Sequence, residues 1–379
     1  MHERQPFSLV RGGAAAVATL VAAALITACG SSTDTVPASA GASGFQEHLL
    51  VADTSGIAPT TDPELVNAWG LARSPTGPWW VADNHAGVST VYDSSGAPFP
   101  AGNALVVTVP PPNGSPAGTG AAPTGMVFNS TPDFVVSAGG MSGASLFIFA
   151  TEDGTISGWS QGVDTMNAIL AVDNSSMDAI YKGLALATAA SGNFLYATDF
   201  HNGRVDVFDA TFMPVPLSGA FHDASIPAGF APFGIQEIGG NLYVTYAKQD
   251  ENAEDDMSGP GNGYVDVFTP TGQLVRRFAS QGTLNSPWGV ALAPANFGSF
   301  SNALLVGNFG DGRINAFNAG SGAFLGQIGD AMGTVLVNPG LWAISFGNGA
   351  TAGPTNTLFF SAGPGGEDHG IFGSIQANS

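Results

Sequence analysis

The sequence predicts an all-β protein, a six-bladed β-propeller of four-stranded blades closed by an N-terminal strand that joins the last blade. Three observations predict it. A strand-turn pattern recurs six times, with markers Gly70, Gly125, Gly183, Gly234, Gly289 and Trp342 spaced by 55, 58, 51, 55 and 53 residues. Glycine is 53 of 379 residues, roughly twice the usual ~7%, as a fold with many tight turns requires. Beyond the first thirty residues, no window sustains the 3.6-residue apolar period of a helix.

The elements follow in order. Arg4 and Arg11 precede a small apolar run, Gly12 to Ala28, which has the form of a secretory signal. The run falls short of the ~20 strongly apolar residues of a membrane span. Its end, Ile26-Thr27-Ala28-Cys29, resembles the lipobox of bacterial lipoproteins. Residues 1–28 are therefore expected to be a lipoprotein signal peptide, and Cys29 the lipidated residue; the alternative is a plain signal peptide with an incidental cysteine. Cys29 is the sole cysteine, so no internal disulfide forms. Residues 29–44 are small and polar and read as the lipidated cysteine and a flexible tether. Residues 45–379 form a single propeller domain. The likeness to sorted lipoproteins implies a bacterial cell envelope, and the outer membrane if the organism is Gram-negative.

Phe45 to Val51 is an orphan strand that can complete the sixth blade and remove a sheet edge. Each unit then opens on a short inner strand around its marker. A second strand follows at 79–83, 145–153, 193–199, 241–247, 303–308 and 357–363. The third lies at 89–93, 154–159, 204–209, 264–269, 313–318 and 370–376. Weaker fourth strands are expected at 104–110, 168–173, 215–221, 274–279 and 323–329. A β-sandwich would not explain six similar units.

The segments Asp199-Phe200-His201-Asn202-Gly203-Arg204-Val205-Asp206-Val207-Phe208 and Asn308-Phe309-Gly310-Asp311-Gly312-Arg313-Ile314-Asn315-Ala316-Phe317 resemble NHL repeats. Over most of residues 45–379 the chain resembles exported, NHL-like bacterial propellers. That resemblance implies fold and export, and no catalytic residues.

Charge narrows the partners. Nine Lys and Arg against 29 Asp and Glu give a net charge of −20. Nucleic acid, which demands clustered cations, is excluded as a partner. Removing residues 1–28 leaves seven cations and 28 acids, a net −21. Propeller geometry then sorts the polar residues. Inner-strand starts, second-strand ends and the loops after them share one face, at the channel mouth. Lys182 and Lys248, the only lysines, map there, with Asp83, Glu152, Asp153 and Asp199. These six are the candidate channel-face ligand site. His85, His201 and His369 fall in second-to-third-strand loops and are a candidate metal set for Zn²⁺, while carboxylates and amides suit Ca²⁺. The competing reading is that Asp199, Asn202, Arg204, Asp311 and Arg313 hold turns. The acidic run 250–256 does not match an EF-hand loop. Trp69, Trp288 and Trp342 are expected to pack between blades.

Two functions remain. One is a membrane-anchored binding or scaffold protein, taking a protein, glycan or small-molecule ligand through its channel face. The alternative is a metal-dependent hydrolase, lactonase or lyase at the channel mouth. A closed ring without free edges is expected to be monomeric.

Overall fold

The computed structural model describes residues 44–217 and 219–378. The expected signal peptide, Cys29 and all of the tether except Gly44 lie outside the described residues. Among the described residues, no helix is long and apolar enough to cross a membrane.

Six sheets form the ring of a β-propeller. Blade 1 comprises Ala68–Arg73, Trp79–Asp83, Val88–Tyr92 and Val106–Thr108. Blade 2 comprises Pro123–Phe128, Phe147–Thr151, Thr155–Trp159 and Ile169–Asp173, with an added hairpin of Val135–Ala138 and Met141–Ala144. Blade 3 comprises Tyr181–Ala189, Gly192–Asp199 and Arg204–Phe208. Blade 4 comprises Phe230–Ile238, Asn241–Lys248, Gly263–Phe268 and Leu274–Ser280. Blade 5 comprises Pro287–Leu292, Ala303–Asn308, Ile314–Asn318 and Phe324–Gln327. Blade 6 comprises Leu341–Phe346, Thr357–Ala362 and Ile371–Ala377.

The N-terminal strand Phe45–Ala52 closes blade 6 as expected. It runs antiparallel to Ile371–Ala377, from Phe45 opposite Ala377 to Ala52 opposite Ile371, and Thr60–Thr61 adds a fifth, parallel strand. Phe45 seals the seam against Phe297, with ring centroids 4.9 Å apart.

Two expectations are corrected. Residues 215–221 do not form a fourth strand in blade 3. Val215 donates to Val207 O at 2.8 Å, but the run then leaves blade 3 for a turn of blade 4, where Gly219 N–H donates to Thr271 O and Phe221 N–H to Gly272 O. The sixth marker is Ala343 rather than Trp342. Ala343 N–H donates to Ser361 Oγ, just as Gly183 N–H donates to Thr198 Oγ1 and Gly234 N–H to Thr245 Oγ1.

That register explains the glycines of the inner strands. A Cβ on Gly234 would lie 2.2 Å from Trp288 O, and one on Gly70 would lie 2.4 Å from Thr124 O. Neighbouring inner strands therefore approach backbone to backbone. Thr198 Oγ1 bridges the same gap by donating to Phe233 O at 2.7 Å, and Ser361 Oγ does so to Trp69 O.

The core lies between blades. Adjacent Trp79 and Trp80 point to opposite faces of their strand, as a pleat requires. Trp79 packs on Phe359 of blade 6, and Trp80 stacks on Phe147 of blade 2.

Candidate functional site

The corrected register places Trp69, Thr124, Lys182, Phe233, Trp288 and Trp342 at equivalent inner-strand positions around the axis. The tryptophans do not pack between blades as expected. They gather on the axis with phenylalanines from the loops. Trp69 and Trp342 stack at 3.6 Å, Phe309 stacks on Trp342 at 4.0 Å, and Phe200 meets Phe233 at 5.2 Å. This aromatic plug closes the channel beneath the mouth. On the opposite side a cavity of about 250 Å³ is lined by inner-strand ends, among them Arg73 and Glu237. Arg73 is committed there to Phe346 O and Gly347 O.

Lys182 is the one charged member of the ring and is only 2% exposed. Its ammonium donates to Glu152 Oε1 at 2.5 Å and Asp255 Oδ1 at 3.3 Å. It also lies 5.5 Å from the Trp69 ring centroid and 5.8 Å from that of Phe200, within cation–π range. Burial favours loss of its proton, but Glu152 and then Asp255 outweigh burial and hold the pKa above the ordinary lysine value. Lys182 is thus a fixed cation and not a base.

A chain of amides extends from this pair. Asn84 Nδ2 donates to Glu152 Oε2 at 3.0 Å, and Asn67 Nδ2 donates to Asn84 Oδ1 at 3.3 Å and to Glu367 Oε2 at 2.8 Å. Trp342 Nε1 donates to Asn67 Oδ1 at 3.0 Å, tying the network to the plug. Asn67 and Glu367 both hold positive φ, 50° and 73°. Such strain concentrates at functional sites. Burial, followed by the charge of Glu152, pushes the Glu367 carboxyl up to about 7.

The loop bearing Asp255 arches over this network. Asp250 N donates to Asp255 O at 2.8 Å, and Gln249 Nε2 donates to Phe200 O at 2.6 Å. Asp256 in the same loop has its pKa raised by burial.

The other expected site residues are placed as follows. Asp83, Asp153 and Asp199 accept from backbone N–H groups, Asp83 within its own hairpin and Asp153 and Asp199 from the segments that precede the inner strands. Asp83 accepts from Thr90 N–H at 2.9 Å, and Asp153 accepts from Ala122 N–H at 2.7 Å. Asp199 accepts from Ile180 N–H and Asn202 Nδ2 and pairs with Arg204 at 3.2 Å. Burial raises the pKa of both Asp83 and Asp199. Lys248 makes no ion pair among the described residues.

The three histidines are not gathered. His85 is exposed, His201 is half-buried with an unpartnered Nδ1 among the described residues, and His369 Nδ1 lies 2.8 Å from Asp53 Oδ2. Among the described residues, no three His, Cys, Asp or Glu side chains are grouped to hold a metal ion. Among the described residues, His85, His201 and His369 do not form the expected Zn²⁺ set.

No family model matches the chain. An uncharacterized protein of Acanthamoeba polyphaga mimivirus is 32% identical over 334 residues, covering 86% of this chain and 79% of that protein. A second from the same virus is 33% identical over 306 residues, covering 78% and 77%. Among solved structures, a streptogramin B lyase aligns with a TM-score of 0.51 at 14% identity, over 90% of this chain and 100% of its own. The soluble aldose sugar dehydrogenase of Escherichia coli, in its apo form, aligns with a TM-score of 0.51 at 12% identity, over 88% and 99%. At these identities the likeness shows the propeller fold alone.

Proposed function

The chain belongs to the family of these mimivirus proteins, and on that premise we propose that it is a membrane-anchored extracytoplasmic binding protein acting through its channel mouth. The relatives' names state no activity, so the reading rests on the site. The observation that carries it is the polar cup of Asn67, Asn84, Glu152, Asp255 and Glu367, two of them strained, set over an aromatic floor. Lys182 is already neutralised by two carboxylates, so it has no charge left for an anionic ligand. The ligand class is therefore cationic or neutral and polar. The anchor is the lipid on Cys29, in the cell envelope.

Two experiments test the reading. Melting of the purified protein is followed with spermidine, glucose or citrate added. Spermidine or glucose raises the melting temperature and citrate does not; no shift with any of them, or a shift with citrate alone, overturns the binding reading. Cys29→Ala releases the protein from washed membranes; its retention there refutes the lipid anchor.

A hydrolase, lactonase or lyase reading is favoured by the Glu367 carboxyl, which lies in the same amide network as Glu152 and is pushed up to about 7 by burial and by the charge of Glu152. Two carboxyls held apart in this way suit an acid and a charged partner. It predicts turnover of a generic lactone or ester with an apparent pKa near 7 that disappears in Glu367→Gln.

A further inference from the structure

Blade 3 stops at its third strand, Arg204–Phe208. In an antiparallel ladder successive residues turn their N–H and C=O groups to opposite sides. Asp209 N–H donates outward to Met213 O, and Val207 O accepts outward from Val215 N–H. Val205, two residues before Val207, therefore also faces outward. Among the described residues, nothing bonds its N–H, its C=O or the N–H of Val207. Fourth strands cover this edge in the other five blades, with Phe45–Ala52 serving blade 6. The expectation that ring closure leaves no free sheet edge fails, since each blade ends on an outermost strand paired on one side, and in blade 3 that strand is the third.

Beside the open edge lies a cavity of about 560 Å³, lined by Val205, Val207, Phe208, Val215, Leu217 and Phe221. Residues 214–217 bound it rather than fill it, because beyond Val215 the chain is drawn to blade 4 through Gly219 N–H to Thr271 O and Phe221 N–H to Gly272 O. An edge with free backbone groups beside an apolar groove is the geometry that accepts an added strand, with every second side chain of the guest entering the groove. Local charge selects among guests. Arg204, the cation that lines the groove, is committed to Asp199 and Asp206 and leaves no free positive charge there to repel a cationic guest. The chain as a whole carries −20.

We infer that the open edge of blade 3 is a docking site for an extended polypeptide segment with apolar residues at alternate positions and net positive charge, which adds as the blade's fourth strand. The surface is separate from the channel mouth.

The probe is a capped octapeptide of alternating valine and lysine, titrated into the purified protein by calorimetry. A matched probe carries N-methyl groups on the residues that face the edge, which removes its donors and keeps its charge. The unmodified probe binds, and N-methylation weakens it about tenfold or more, as the loss of one or two hydrogen bonds dictates. Val205→Pro, tolerated at an edge position, weakens the unmodified probe to a similar degree. Leu217→Lys does so by placing a like charge in the groove, and both variants are checked for unchanged melting. Equal affinity of the two probes means adhesion to an acidic surface and overturns the proposal, as does no binding. Self-association abolished by Val205→Pro in sedimentation assigns the edge to a second copy and overturns it too.

Discussion

Lys182 shows how a single residue can organise the mouth of the channel. Its ammonium is out of solvent, between two carboxylates and over two aromatic rings. Breaking a buried pair leaves the remaining charge uncompensated, which costs about 3–5 kcal/mol, whereas removing both charges is far milder. Lys182→Met is therefore expected to destabilise the protein by about 3 kcal/mol, and Lys182→Met with Glu152→Gln to recover most of that. Urea unfolding midpoints measure both. A loss below about 1 kcal/mol in the single variant would mean that solvent already screens the pair. Both lysines mapped to one face in the sequence, yet only one reached the network. Lys182 occupies an inner-strand ring position equivalent to Trp69 and Phe233, which faces the axis. Lys248 ends a second strand, one step further out. Asn84 follows Asp83 in the loop after the second strand of blade 1. The placement that singled out acids, lysines and histidines extends to amides and reaches it.

At the scale of strands, the inner-strand glycines are a packing requirement. Gly234→Ala would drive a methyl group to 2.2 Å from Trp288 O, which is backbone and cannot swing aside. The substitution is expected to cost more than an average point mutation, several kcal/mol, because blades 4 and 5 must separate. A thermal melt compares it with Gly162→Ala, a turn glycine without positive φ whose Cβ meets nothing within 4 Å. Equal losses would contradict close blade contact as the reason for Gly234. The strand order, the N-terminal closure and the blade count were legible because a repeat reads the same signal six times. Individual strands without that redundancy were not. The apolar run 215–221 has strand composition, but after Val215 its backbone donors bond to Thr271 O and Gly272 O of blade 4 instead of the third strand of its own blade. The sixth marker was misplaced by one residue because Trp342 lies beside the alanine that replaces the glycine. The histidine set failed for another reason. Sharing a loop type places residues on one rim, and a metal site demands that they also share a few ångströms. His369 instead pairs with Asp53 across the closure of the ring.

At the scale of the whole molecule, acidity governs stability. Burial raises the pKa of Asp83, Asp199 and Asp256, and pushes Asp266 to about 6 despite Arg277. Glu367 follows at about 7. A carboxyl whose folded pKa exceeds its unfolded value stabilises the fold below the unfolded value, and that contribution is lost as pH rises through the folded one. The melting temperature is therefore expected to fall from pH 5 to pH 8, and Glu367→Gln to flatten the part of the fall near pH 7. A melting temperature that rises over this range would contradict the burial of these acids. Salt is expected to offset part of the loss by screening the net charge of −20.

The same carboxyl offers the most direct test of the channel mouth as a binding site, through the cationic class of ligand. A cation docking beside Glu367 favours the carboxylate and releases the proton from the molecules that still carry it near pH 7. Spermidine titrated calorimetrically at pH 7, in two buffers of different ionisation enthalpy, reports that release. Binding with partial proton release in the wild type, and binding with little or no release in Glu367→Gln, is the expected result. Absence of binding, or the same proton release in both proteins, would contradict it.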